Sequence, residues 1–167
     1  MKPYINLKQM FGQLGHSEFI AYIFCRQLQV SITRSTIKQH FEDQPNSNSL
    51  LSLSDVLTKV GIQNLAGRVE MKNLDKLPSP SIAQISLKGK KFFTIISKMQ
   101  ENYVIYLDPV SQRFTTVTKN VFGTVFTGIS LVGSVLEGAG ERNYSSKRLV
   151  EKKNISRRSL LLQFYLF

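Results

Sequence analysis

The sequence contains no tryptophan, one cysteine and two histidines among its 167 residues. With Cys25 alone, an internal disulfide framework and a cysteine-built metal cluster are both excluded, and a lone thiol suits a reducing compartment. His16 and His40 are the only imidazoles, so general acid–base chemistry near neutral pH has little to draw on, and no metal-binding pattern links them. Neither a metal nor an organic cofactor is expected. Acidic residues are also scarce, 11 against 22 basic, which gives a formal net charge of +11. That excess is uneven, because residues 142–158, RNYSSKRLVEKKNISRR, hold seven cations against Glu151. A basic tail with no run of aromatics interleaved among its cations to stack bases, Tyr144 standing alone, makes nucleic acid an unexpected partner. The opening MKPYINLKQMF lacks the apolar run and cleavage site of a secretory signal, so secretion is not expected. The closing SLLLQFYLF is apolar but far short of the roughly 20 residues that span a bilayer. It is compatible with a truncated transmembrane segment, and a basic flank fits the cytoplasmic side of a membrane.

What is present is concentrated in residues 81–132. Ile82, Ile85 and Leu87, then Phe92 to Ile96, Tyr103 to Leu107 and Phe114 to Val117 are four short runs rich in β-branched and aromatic side chains. Polar connections holding Gly89 and Pro109 separate them, so they read as consecutive antiparallel strands. Pro109 cannot donate to a ladder and ends the third strand, which leaves Asp108 at a strand terminus. The Lys88, Lys90, Lys91 cluster reads as a solvated hairpin turn, its functional alternative being a contact for an acidic peptide or a phosphate.

Upstream the periodicity is helical. Residues 4–13 suggest a short amphipathic helix through Leu7, Met10, Phe11 and Leu14. A second helix starts at Ser17 as its cap, with Phe19, Ile20, Ile23, Phe24 and Leu28 inward. A third begins at Thr33 and buries Ile37 and Phe41. Ser52 and Asp55 suggest a capping box ahead of Val56, Leu57 and Val60, with Gly61 ending that helix. Residues 64–71 read as an edge strand, 119–126 as one or two helical turns and 128–132 as a last strand. At this length one core is available, so a single α+β domain is expected, its amino-terminal helices packed on an antiparallel sheet. Composition places it at residues 1–137, followed by a basic linker at 138–158 and the apolar tail at 159–167.

The string KFFTIISKMQENYVIYLDPVSQRFTTVTKNVFGTVFTGISLV resembles the second half of the papain-like cysteine peptidases that remove double-glycine leader peptides from bacteriocins. Asp108-Pro109 and Phe126-Thr127-Gly128 carry that likeness. LQVSITRSTIKQHFEDQPNSNSLLSLSDVLTKVGIQNLAGRV and LEGAGERNY are similar to the peptidase-like domain preceding the membrane part of Bacteroidetes-type vitamin K epoxide reductase proteins. The resemblance covers roughly residues 5–145 and implies a papain-like fold. It further implies a cytoplasmic position at the inner face of a bacterial plasma membrane and a leader-type peptide as ligand. Transferred residue by residue, it puts the catalytic histidine at Phe92 and the nucleophile at Gly15 or His16, so only the orienting Asp108 keeps its chemical type.

The expected function is therefore a catalytically inactive peptide-binding or interaction module of a membrane thiol oxidoreductase system; the alternative is an active leader peptidase. Cys25 is the remaining nucleophile candidate for that alternative. It lies about two turns into its helix, where the terminal field has faded and packing is the ordinary role. Asp108 has two readings, a turn anchor or the relic of a triad.

Overall fold

This computed structural model describes residues 14–164, with side chains described as far as residue 155. The helix expected over residues 4–13 lies outside the described residues. The chain runs α1 (His16–Gln27), α2 (Arg34–Glu42), α3 (Leu50–Lys59), β1 (Ile62–Arg68), a 3-10 segment (Met71–Lys76), β2 (Ser81–Leu87), β3 (Lys90–Met99), β4 (Tyr103–Asp108), β5 (Arg113–Thr118), α4 (Lys119–Val125), β6 (Phe126–Val135) and α5 (Tyr144–Phe164).

The six strands make one antiparallel sheet in the order β1-β6-β2-β3-β4-β5. β2 to β5 are the expected meander. Lys88 and Gly89 both take positive φ, so the first hairpin closes in two residues and Lys90 already pairs with Leu87. β6 then returns between β2 and β1, which leaves β1 and β5 as the two edges.

Side chains alternate along each strand, so the sheet has two covered faces. On one, Ile20 and Phe24 of α1 and Leu53, Val56 and Leu57 of α3 pack on Ile62, Ile82, Phe93, Ile95 and Leu131, with α2 adding Ile37 and Phe41. On the other, Leu74 of the 3-10 segment and Phe122 of α4 cover Ala83, Ile85, Ile96 and Val104. The expected α+β architecture, with its amino-terminal helices against an antiparallel sheet, is the one observed.

Several boundaries differ from expectation. Ser17 does not cap α1: Gly15 holds that position, and the Ser17 hydroxyl is buried and donates to Asn48 Oδ1 at 3.2 Å. Ser52 and Asp55 do not start α3. Ser49 does, its hydroxyl accepting from the Ser52 amide at 3.0 Å, because that earlier serine lets Leu50 to Ser52 join the helix. Thr33 caps α2 as expected. β1 begins at Ile62, directly after Gly61 turns the chain at φ 87°, and ends at Arg68.

After β6 the chain does not leave the domain at once. The Leu136 amide donates to Gly61 O, that of Gly140 to Val60 O and that of Glu141 to Ser31 O, each at 2.9 Å. This strap crosses so closely that a Cβ on Gly61 would sit 2.7 Å from Ala139 Cα, and one on Gly140 2.7 Å from Ser31 O. Glycine at positive φ is what the crossing requires. Two carboxylates complete it: Glu141 accepts from the Thr33 amide at 2.6 Å and from the Thr36 hydroxyl, and Glu151 of α5 accepts from the Ser35 amide at 3.0 Å. The free amides that begin α2 are thus satisfied from the far end of the sequence. Among the described residues no helix is long and apolar enough to cross a membrane.

Candidate functional site

The site expected from sequence lies where the start of α1 meets β3. Gly15 is exposed, and its amide donates to Glu18 Oε2 at 2.7 Å, so a carboxylate of the first turn folds back onto the helix terminus. His16 is the first helical residue. Its ring reaches across to the sheet, where Nε2 lies 2.8 Å from the Phe93 carbonyl. A carbonyl only accepts, so Nε2 carries the proton and the tautomer is fixed. The same ring meets Phe92 edge-on, centroids 5.6 Å apart and planes at 77°. Burial lowers the His16 pKa, and the hydrogen bond to Phe93 offsets only part of that effect. The imidazole is held neutral, as a donor.

The two positions at which a nucleophile and a base are expected, His16 and Phe92, are therefore brought into contact. Gly15, the other nucleophile candidate, caps the helix beside them. A thiolate at this terminus would be stabilised by the amide dipoles; here Glu18 already occupies that field with its own negative charge. Imidazole against phenyl offers an apolar, edge-to-face contact and no proton-transfer pair.

Asp108 sits at the end of β4, paired with Arg113 across the β4–β5 turn. Its two oxygens accept from the Val110 amide at 3.1 Å and the Ser111 amide at 3.2 Å, closing the loop after Pro109. Desolvation alone would raise this carboxyl, but the bonds from Ser111 and Val110 outweigh it and hold the pKa below the ordinary value. The carboxylate is spent on its own turn.

Cys25 lies in the helical core with no exposed surface. Burial drives its pKa up to about 12, so at neutral pH the group is a thiol. His40 is half-buried on α2, away from the α1 terminus, and its pKa is lowered chiefly by desolvation and next by the Lys59 charge. Among the described residues no group of three histidine, cysteine, aspartate or glutamate side chains could hold a metal. Sequence reasoning missed the Ser17–Asn48 bond and the Phe93 carbonyl, since neither a backbone acceptor nor a partner 31 positions away leaves a local signal.

A profile of the peptidase C39 family matches residues 20–135. The chain belongs to the peptidase C39 family. The match covers the core of the domain, Phe92 and Asp108 included, and begins beyond His16, so the α1 terminus lies outside it. No curated protein matches this C39 chain by sequence. Solved structures do. A double glycine motif protease from an AMS/PCAT transporter, in complex with the leader peptide, superposes with TM-score 0.64 at 15% identity, covering 74% of this chain and 86% of that one. The peptidase domain of Streptococcus ComA, a bifunctional ABC transporter of a quorum-sensing pathway, gives 0.63 at 15% identity, covering 74% and 96%. The peptidase C39-like domain of a toxin secretion ATP-binding protein from Vibrio parahaemolyticus gives 0.61 at 11% identity, covering 74% and 99%. At these identities the shared property is the fold, and the C39 domain here has the papain-like architecture.

Proposed function

We propose that this C39 domain is a catalytically inactive module that holds an extended, leader-type peptide at the cytoplasmic face of a membrane. The observation that carries the reading is the contact of His16 with Phe92 at the start of α1, where peptide-bond hydrolysis by this fold needs a thiol and an imidazole. The burial of Cys25 supports it, since the single thiol has neither access nor a low pKa. A related double glycine motif protease has been solved with a leader peptide bound, which makes such a peptide the natural ligand class. Among the described residues, β1 and β5 are the edge strands with no neighbouring strand on one side, and a peptide added as a further strand would gain affinity from the ladder while alternate side chains enter pockets. We place the module in a membrane thiol oxidoreductase system of the vitamin K epoxide reductase type, on the strings quoted above.

Titration calorimetry with a synthetic double-glycine leader, followed by mass spectrometry of the same mixture, tests this directly. Saturable binding with the peptide recovered intact is expected. Cleavage, or no binding to any such leader, overturns the reading. Alkylation separates it from the peptidase alternative: Cys25 should label only after unfolding, whereas rapid labelling of the folded protein at neutral pH would mark a live nucleophile.

A further inference from the structure

We infer that the outward face of α5 is a docking surface for an anionic phospholipid bilayer. Glu151 is the sole acidic residue between Arg142 and Phe164, and the fold turns it inward, onto the Ser35 amide at the start of α2. Lys147, one turn earlier on the same side, is likewise engaged, at 3.0 Å from Glu141. The docked side of α5 thereby consumes the negative charge available to it. Residues about 100° or more around the helix from Lys147, namely Arg148, Lys152, Lys153 and Leu149, are left on the other side. Lys152, Lys153 and Leu149 are exposed, Leu149 to 60%. Arg148 lies over the Tyr144 ring and donates to its hydroxyl at 2.9 Å, which holds one cation and one aromatic at the rim of this face.

A purely cationic strip with an exposed leucine is the pattern that sits at an anionic lipid interface, cations at the headgroups and the apolar side chain below them. A duplex would take the cations but gain nothing from Leu149. A membrane also suits the apolar SLLLQFYLF that follows in sequence. The docking of α5 through Glu151 and of the strap through Glu141 fixes how the domain is presented to that surface. The inference rests on the membrane placement proposed above and stands whether or not a sheet edge takes a peptide.

The test is co-sedimentation of the full chain with vesicles of phosphatidylcholine alone or mixed with phosphatidylglycerol. Binding should require phosphatidylglycerol and weaken steeply with salt. Each interfacial cation contributes about fivefold, so the triple variant Arg148→Glu/Lys152→Glu/Lys153→Glu should bind at least roughly 100-fold more weakly. Lys152 and Lys153 are exposed and Arg148 is half-buried at the rim, and an unchanged thermal melt will show that the fold is intact. Lys88→Glu/Lys90→Glu/Lys91→Glu changes the net charge equally at the β2–β3 hairpin and should bind nearly as wild type. Equal binding to neutral vesicles, equal losses from both triple variants, or displacement of the protein from vesicles by duplex DNA at matched phosphate overturns the inference.

Discussion

Asp108 and Glu141 are both carboxylates held below their ordinary pKa by hydrogen bonds that outweigh desolvation, yet they do opposite kinds of work. Asp108 binds amides two and three residues ahead and closes a turn that Pro109 has already begun. Glu141 binds groups on Thr33 and Thr36, more than 100 positions earlier, and with Lys147 fastens the strap to the start of α2. Ionisation is thus no guide to function in this fold. What distinguishes the two is how much unrelated structure each carboxylate joins.

The strap should be the more sensitive region. Gly140→Ala combines a positive φ of 103° with a Cβ 2.7 Å from a backbone oxygen, neither of which a side-chain shift relieves. A loss of about 2–4 kcal/mol in urea unfolding is expected. Glu141→Ala removes a charged acceptor from a nearly buried site and strands the Thr33 amide, for about 2–3 kcal/mol. A loss below about 1 kcal/mol for either would show that the strap merely lies on the domain.

Acid unfolding sharpens the contrast through a difference in pH window. The Glu141 pKa is depressed on folding, so its contribution is complete above its ordinary value of 4.5 and is lost as pH falls through the lower folded value. Glu141→Gln should flatten stability against pH below about 4.5 while leaving the neutral-pH slope unchanged. For Asp108 the same sign applies, but the window opens only at 3.8. Asp108→Asn should therefore leave the slope of the curve unchanged until more acid conditions.

The legible parts of the sequence were those governed by neighbours. The β2–β5 meander follows from runs of strand-forming residues punctuated by Gly89 and Pro109, and Thr33 and Gly61 mark helix ends by chemistry that acts within a few residues. The strap was illegible because Gly138-Ala139-Gly140 has the composition of a flexible joint; only Val60 and Ser31, distant in sequence, reveal that Gly140 is a packing position. Gly15 was passed over as a cap in favour of Ser17, since a serine hydroxyl is the stronger local signal and its burial against Asn48 is a tertiary effect. At the candidate site, the resemblance alone pointed to Phe92 and to Gly15 or His16 as the positions to compare. That His16 and Phe92 touch, with the imidazole donating to Phe93 O, is a tertiary effect between residues more than 70 positions apart.

The smallest effect expected is also the one that bears on the site. If Asp108 is only a turn anchor, Asp108→Asn keeps an acceptor for the Val110 or Ser111 amide, Pro109 still sets the turn, and solvent already screens the lost charge. Stability should then fall by no more than about 1 kcal/mol. Affinity for a double-glycine leader, measured by calorimetry, should be unchanged, because both carboxylate oxygens are already committed to the loop. A variant of wild-type stability that loses leader binding would reverse the assignment. Asp108 would then face the ligand, and the contrast with Glu141 would be one between a binding residue and a structural clasp.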